Sequence, residues 1–138
     1  MAYQIRKVKY CYVTVPSRAG EAARVLTELK KARVDLLAFS GFPVGGGKSQ
    51  MDLVTNNTGA IARLARNKGW KLSKVKRGFL VQGTDEMGAV QKVLSRLAKK
   101  SINVTAADAV AAGKGRYGMI LWVRPDKYNA AARALMAH

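Results

Sequence analysis

The sequence predicts an α+β protein built from two copies of one β-α-β-β-α-β unit, and three observations predict it. First, the chain matches itself in register when offset by about 68 residues. Tyr3–Lys9 lies over Trp70–Lys76, Gly20 over Gly88, Leu26 over Leu94 and Leu29 over Leu97. Val34-Asp35-Leu36 lies over Ile102-Asn103-Val104, Gly45 and Gly47 over Gly113 and Gly115, and Met51 and Leu53 over Met119 and Leu121. Second, each half carries an apolar stripe of helical period. Third, each half carries a glycine turn between two apolar segments. These matches describe a tandem duplication of a unit of about 69 residues, twice which is the 138-residue chain.

The elements follow in order. Tyr10–Val15 is rich in aromatic and β-branched residues and reads as a strand. Residues 16–20 form a turn. Ala22, Val25, Leu26 and Leu29 recur at i, i+3, i+4 and i+7, the period of an amphipathic helix. Asp35–Phe42 and Ser49–Thr55 read as strands of a hairpin closed by glycines. Thr58 is expected to cap the next helix, with Ile61, Leu64 and Ala65 facing inward, and Trp70–Leu72 begins a last strand. In the second half the helix stripe is Val90, Val93, Leu94 and Leu97. Asp126, after Pro125, is expected to cap a final helix with Tyr128, Ala131, Ala132, Leu135 and Met136 inward.

The unit boundaries read as 7–73 and 74–138. The second unit stops after its second helix and lacks a last strand of its own. Residues 1–6 match the start of the strand at Trp70. They are predicted to supply the missing strand, within the chain or by exchange with another copy, and either way they cover an edge that invites aggregation.

Composition narrows the function classes. Hydrophobic residues make up 49% and charged residues 24%, an ordinary globular balance. No apolar run is long enough to span a bilayer, and the N-terminus has no apolar core of a secretory signal. Cys11 is the only cysteine, which excludes an internal disulfide and a thiolate metal cluster. The expected location is the cytoplasm. The unusual term is charge: 25 Lys and Arg against 8 Asp and Glu, a formal +17, which attracts polyanions.

At the end of the first strand, the loop glycine, the helix and the second strand, the sequence resembles the ACT domain, a small ligand-binding regulatory module. The residues that carry the resemblance are Tyr12–Val15, Ser17–Gly20, Val25, Leu26, Leu29 and Val34–Leu36 in the first unit. In the second they are Phe79–Val81, Asp85–Gly88, the Val/Leu helix and Ile102–Val104. The chain looks like a protein of two fused ACT domains. The resemblance implies two ferredoxin-like units pairing into a continuous antiparallel sheet with helices on one face. It also implies a non-enzymatic regulatory protein without a cofactor that binds a small ligand, typically an amino acid, at the seam between units and assembles as a homo-oligomer. The ligand-binding candidates carried over are Ser17, Arg18, Ala19, Gly20, Asp35 and Leu36, with Asp85, Glu86, Met87, Gly88, Asn103 and Val104. Glycine lets the backbone approach a ligand, and helix N-terminal N–H groups favour a carboxylate. Asp35, Asn103 or Asp85 would receive an ammonium group. Ser17 departs from the Asp usual in the family, and Asp35 is matched by Asn103, so two such sites would differ.

Other signals are less specific. Gly45-Gly46-Gly47-Lys48-Ser49 has the end of a P-loop, but Phe42 stands where the P-loop needs its first glycine, and strands flank it on both sides. A hairpin turn is the expected structure. The single histidine, His138, is the last residue and is expected to be unanchored. Cys11 sits in an alternating strand and reads as a small core residue. No catalytic set and no spaced metal-ligand set emerges from the eight acids, so neither an enzyme nor a metal or cofactor is expected.

An alternative class is nucleic-acid binding by an RRM-like protein, which shares the ferredoxin-like plan. Arg63, Arg66, Lys68, Lys71, Lys74, Lys76 and Arg77 follow one another without an intervening acid, as a polyanion contact would. Arg116–Trp122 and Gly78–Val81 partly match the base-stacking strand motifs, though Met119 replaces an aromatic and Arg116 a glycine. Tyr10 and Tyr12 alternate onto one sheet face.

Overall fold

The computed structural model describes residues 3–138. Met1 and Ala2, part of the predicted closing segment 1–6, lie outside the described residues. The chain is α+β. Strand β1 spans Tyr3–Pro16, helix α1 Glu21–Lys31, β2 Ala38–Gly45, β3 Lys48–Val54 and α2 Thr58–Lys68. Then come β4 Lys76–Thr84, α3 Ala89–Ala98, β5 Ala106–Gly113, β6 Arg116–Trp122, a 3-10 turn over Pro125–Lys127 and α4 Tyr128–Leu135. The antiparallel strands follow the hydrogen-bonded order β2-β3-β1-β4-β6-β5. Among the described residues no helix is long and apolar enough to cross a membrane.

The chain divides into two compact units, Lys9–Lys76 and a second in which the residues up to Val8 join Arg77–His138. In the first unit, β1 pairs with β3 so that Cys11 faces Leu53 and Val13 faces Met51. These side chains, with Val15, bury against Val25 and Leu29 of α1 and Ala60 and Ile61 of α2. In the second unit, β4 pairs with β6 so that Phe79 faces Leu121 and Val81 faces Met119. They bury against Val93 and Leu97 of α3 and Ala131 and Leu135 of α4, and Ile5 of β1 belongs to the same core. Each unit thus places both helices on one face of its strands, and the duplicated positions occupy the same register.

The hairpins close through glycine. Gly45, Gly46 and Gly47 all have positive φ (88°, 63° and 71°), as do Gly113, Lys114 and Gly115 (84°, 55° and 71°). This is the left-handed backbone that primed hairpin turns require. Gly45–Ser49 is a turn between strands, not a phosphate loop. Gly78 answers a different need. A Cβ there would stand 3.2 Å from the Trp122 ring, and its carbonyl accepts a 2.9 Å hydrogen bond from the Tyr128 hydroxyl.

Several local expectations are corrected. The strand expected at Trp70–Leu72 is reduced to a single bridge between Val13 and Leu72. The Tyr12 N–H donates to the Ser73 hydroxyl at 2.8 Å, and a side chain thereby takes the place of a backbone acceptor. Helix α2 is capped by Asn57, whose side chain accepts from the Ala60 N–H, one residue before the expected Thr58. Asp126 lies in the 3-10 turn and pairs with Arg124 instead of capping α4. Met136 is exposed, because it ends α4 in the left-handed conformation (φ 53°) and leaves the helical stripe. The second strands begin at Ala38 and Ala106, later than Asp35 suggested. Arg33 and Ser101 turn the chain after each helix with φ of 59° and 57°, and the ladder starts only at Leu37 and Thr105. His138 is anchored: its N–H donates to the Ile5 carbonyl and its carbonyl accepts from the Lys7 N–H.

The Phe79 ring stacks on Tyr128 with centroids 4.5 Å apart. Phe79→Ala is expected to cost about 3–5 kcal/mol in denaturant unfolding. Tyr128→Phe, which keeps the stack and loses only the bond to Gly78, should cost about 1 kcal/mol.

Candidate functional site

In each unit the loop after the first strand is tied to the hairpin glycine. The Ser17 N–H donates to the Gly47 carbonyl at 2.8 Å, and the Asp85 N–H donates to the Gly115 carbonyl at 2.8 Å. Gly20 and Gly88 then start α1 and α3 in the left-handed region (φ 89° and 79°), with no side chain capping either helix. The same construction therefore holds a loop and a helix N-terminus over the hairpin in both units.

The first-unit loop borders a groove of about 430 Å³, lined by Ser17, Arg18 and Glu21 together with Phe39, Phe42 and Gln50. The Ser17 and Ser49 hydroxyls lie 2.6 Å apart. Arg24, hydrogen-bonded to Glu21 at 2.7 Å, holds that carboxyl below the usual carboxylate range, with Arg18 adding to the effect. Ala19 and Gly20 are exposed beside the groove and do not line it.

The second-unit groove, about 280 Å³, is lined by Asp85, Glu86 and Gly88 with Ala109, Val110 and Tyr117. Glu86 pairs with Lys92 at 2.9 Å and pushes that ammonium's pKa up. Met87 is fully exposed and outside the lining. Tyr117 is 5% exposed, and its hydroxyl has no hydrogen-bond partner among the described residues. Burial, then the nearby Tyr3 and Glu86, push its pKa up, so it remains a neutral donor. Nothing in the sequence separates Tyr117 from an ordinary core aromatic, since its unsatisfied hydroxyl is a property of the packing around it.

The candidates at the second strands lie elsewhere. Asp35 and Leu36 line a separate cleft of about 450 Å³ with Leu26, Lys30 and Arg33. The Asp35 carbonyl accepts from the Thr55 hydroxyl. Asn103 is exposed, and Val104 packs on the second-unit core. Within each unit the loop residues come together with the edge strand, and the residues before that strand do not join them.

The base-stacking motifs are not presented to a ligand. Phe79, Tyr117 and Met119 all point into the helix-covered core. Tyr10, on the opposite strand face, is buried, and burial followed by Asp52 and Tyr12 raises its pKa to about 12. The basic residues are spread over several elements. Arg63, Arg66 and Lys68 lie on α2, Lys71 and Lys74 in the segment after it, and Lys76 and Arg77 at the start of β4. Lys68 pairs with Glu28 at 3.1 Å, and the Arg77 guanidinium sits 4.1 Å from the centroid of the Tyr128 ring. Among the described residues no group of three or more His, Cys, Asp or Glu is placed to hold a metal ion.

No family model matches the sequence, and no curated protein matches it. Solved structures do match. The fold is similar to protein BT0572 from Bacteroides thetaiotaomicron, with a TM-score of 0.77 at 14% identity, covering 99% of this chain and 90% of that one. It is similar to the regulatory subunit of aspartate kinase from Thermus thermophilus in its ligand-free form (TM-score 0.64, 15% identity, covering 99% and 95%). The regulatory subunit of aspartate kinase from Thermus flavus gives 0.62 at 15% identity, with the same coverage. At these identities the likeness is one of fold, and the fold is ACT-like.

Cys11 is buried among the first-unit core residues, and burial pushes its thiol up to about 11. At pH 8 only about a thousandth of it is thiolate. A chromogenic disulfide reagent is expected to leave the folded protein unmodified over minutes and to titrate one thiol at once in denaturant.

Proposed function

We propose that this chain is a non-catalytic regulatory protein whose two ACT-like units bind a small ligand, an amino acid, in the grooves beside their first loops. One observation carries the reading: the same groove recurs at duplicated positions, bounded in each unit by the loop after the first strand, a helix start and the edge strand. The regulatory subunits of aspartate kinase share the fold, which supports a regulatory role over a catalytic one.

The grooves offer complementary chemistry for an amino acid. In the first unit Arg18 and the start of α1 favour a carboxylate, while Glu21 supplies an acceptor for an ammonium group. In the second unit the uncapped start of α3 favours a carboxylate, and Asp85 and Glu86 receive the ammonium group. The lining differs between units, so the two grooves have different affinities or different ligands. Ligand binding stabilises the loop conformation it fits, and a partner or a second copy reads that shift.

The test is a thermal-unfolding screen of the amino acids. A ligand at 100 times its Kd is expected to add about 2.7 kcal/mol of stability. Asp85→Ala should weaken second-groove binding by roughly two- to tenfold. If no amino acid raises the unfolding temperature, the reading fails.

A further inference from the structure

A second kind of site lies on the first unit, beside the first groove, with which it shares Val15 and Pro16. The end of β1, the β2–β3 hairpin and the segment after α2 enclose a cleft of about 480 Å³. Four cations line it, Arg24, Lys48, Lys68 and Lys71, and no carboxylate does. They arrive from four places: Arg24 from α1, Lys48 from the hairpin, Lys68 from the last turn of α2 and Lys71 from the segment beyond. Arg24 and Lys68 are each held by an acid outside the cleft, Glu21 at 2.7 Å and Glu28 at 3.1 Å. Lys48 and Lys71 make no ion pair among the described residues, and both are exposed.

Like charges gathered in one concavity repel each other, so the arrangement is disfavoured without a counter-charge. The C-terminal end of α2 carries only about half a negative charge, which a single cation such as Lys68 balances. Lys48 and Lys71 are left to receive an external anion. Val15, Pro16, Val44 and Trp70 supply an apolar wall to the same cleft. The combination of several cations with an apolar wall fits a phosphate group on an organic body.

We infer that this cleft is a binding site for a small phosphorylated ligand, a diphosphate or phosphate ester, held by Lys48 and Lys71 with support from Arg24 and Lys68. A nucleic-acid backbone is the less favoured occupant. The cations converge in one bounded cleft, and Phe79 and Tyr117 of the base-stacking motifs are buried in the second-unit core. Lys48 and Lys71 line neither amino-acid groove, so substituting them tests this cleft apart from those grooves.

Inorganic pyrophosphate is the probe, titrated by calorimetry against the full chain at constant ionic strength. Sulfate and a short single-stranded DNA serve as comparisons. Saturable pyrophosphate binding is expected. K48A/K71A should weaken it by at least about tenfold. K99A/K100A removes the same charge from an exposed position on the other unit and should leave binding within about twofold. Circular dichroism of both variants checks that they fold. The inference is overturned if pyrophosphate does not bind, if sulfate binds equally well, or if both double variants lose affinity alike. It is also overturned if the DNA binds more tightly than pyrophosphate and loses that affinity in K48A/K71A.

Discussion

Strand β1 is the constraint on which the rest depends. Its 14 residues extend over roughly 45 Å, and its two ends serve different cores. Ile5 is buried with the helices of the second unit, and Cys11, Val13 and Val15 are buried with those of the first. Side chains alternate along a strand, so a one-residue slip would turn all four to the wrong face. One strand therefore holds the register of two units. Hydrogen bonds from His138 to Ile5 and from Lys7 to His138 bind the chain's last described residue to its first strand.

The grooves follow from that register. Once β1 and β4 are aligned with β3 and β6, the loops at Ser17 and Asp85 reach the hairpin carbonyls of Gly47 and Gly115. The edge strand β5 is almost wholly alanine, valine and glycine, and all of it is exposed. In the first unit the edge carries Phe39 and Phe42, which makes an aromatic wall where the second unit has Ala107 and Val110. Divergence at the edge strands and at the loops, where Ser17 and Arg18 face Asp85 and Glu86 in the alignment, distinguishes the two grooves.

The duplication was legible in the sequence because it is written in residues with strong local preferences. Gly20 and Gly88, Gly45 and Gly113, and the valine and leucine stripes each constrain the backbone or the buried face directly. Element ends were less legible. Asn57 and Thr58 are both good caps, and only the geometry at Ala60 selects between them. Trp70–Leu72 has a strand's composition, yet the Ser73 hydroxyl intercepts the ladder at Tyr12. The loop candidates Ser17, Arg18, Asp85, Glu86 and Gly88 line grooves, whereas Asp35 and Leu36 line another cleft and Asn103 and Val104 line neither groove.

The sequence by itself determined the repeated unit, its α+β order and the positive charge, since period, turn chemistry and residue counts are local properties. Only the tertiary structure decided where that charge is concentrated and which polar groups lack partners. Lys48 and Lys71 stand far apart along the chain, and the pairing of Lys48 with Pro16 and of Lys71 with Thr14 brings them to one cleft. Among the described residues, the Tyr117 hydroxyl is left without a partner by the packing around it. Both are matters of long-range packing, which no local pattern encodes.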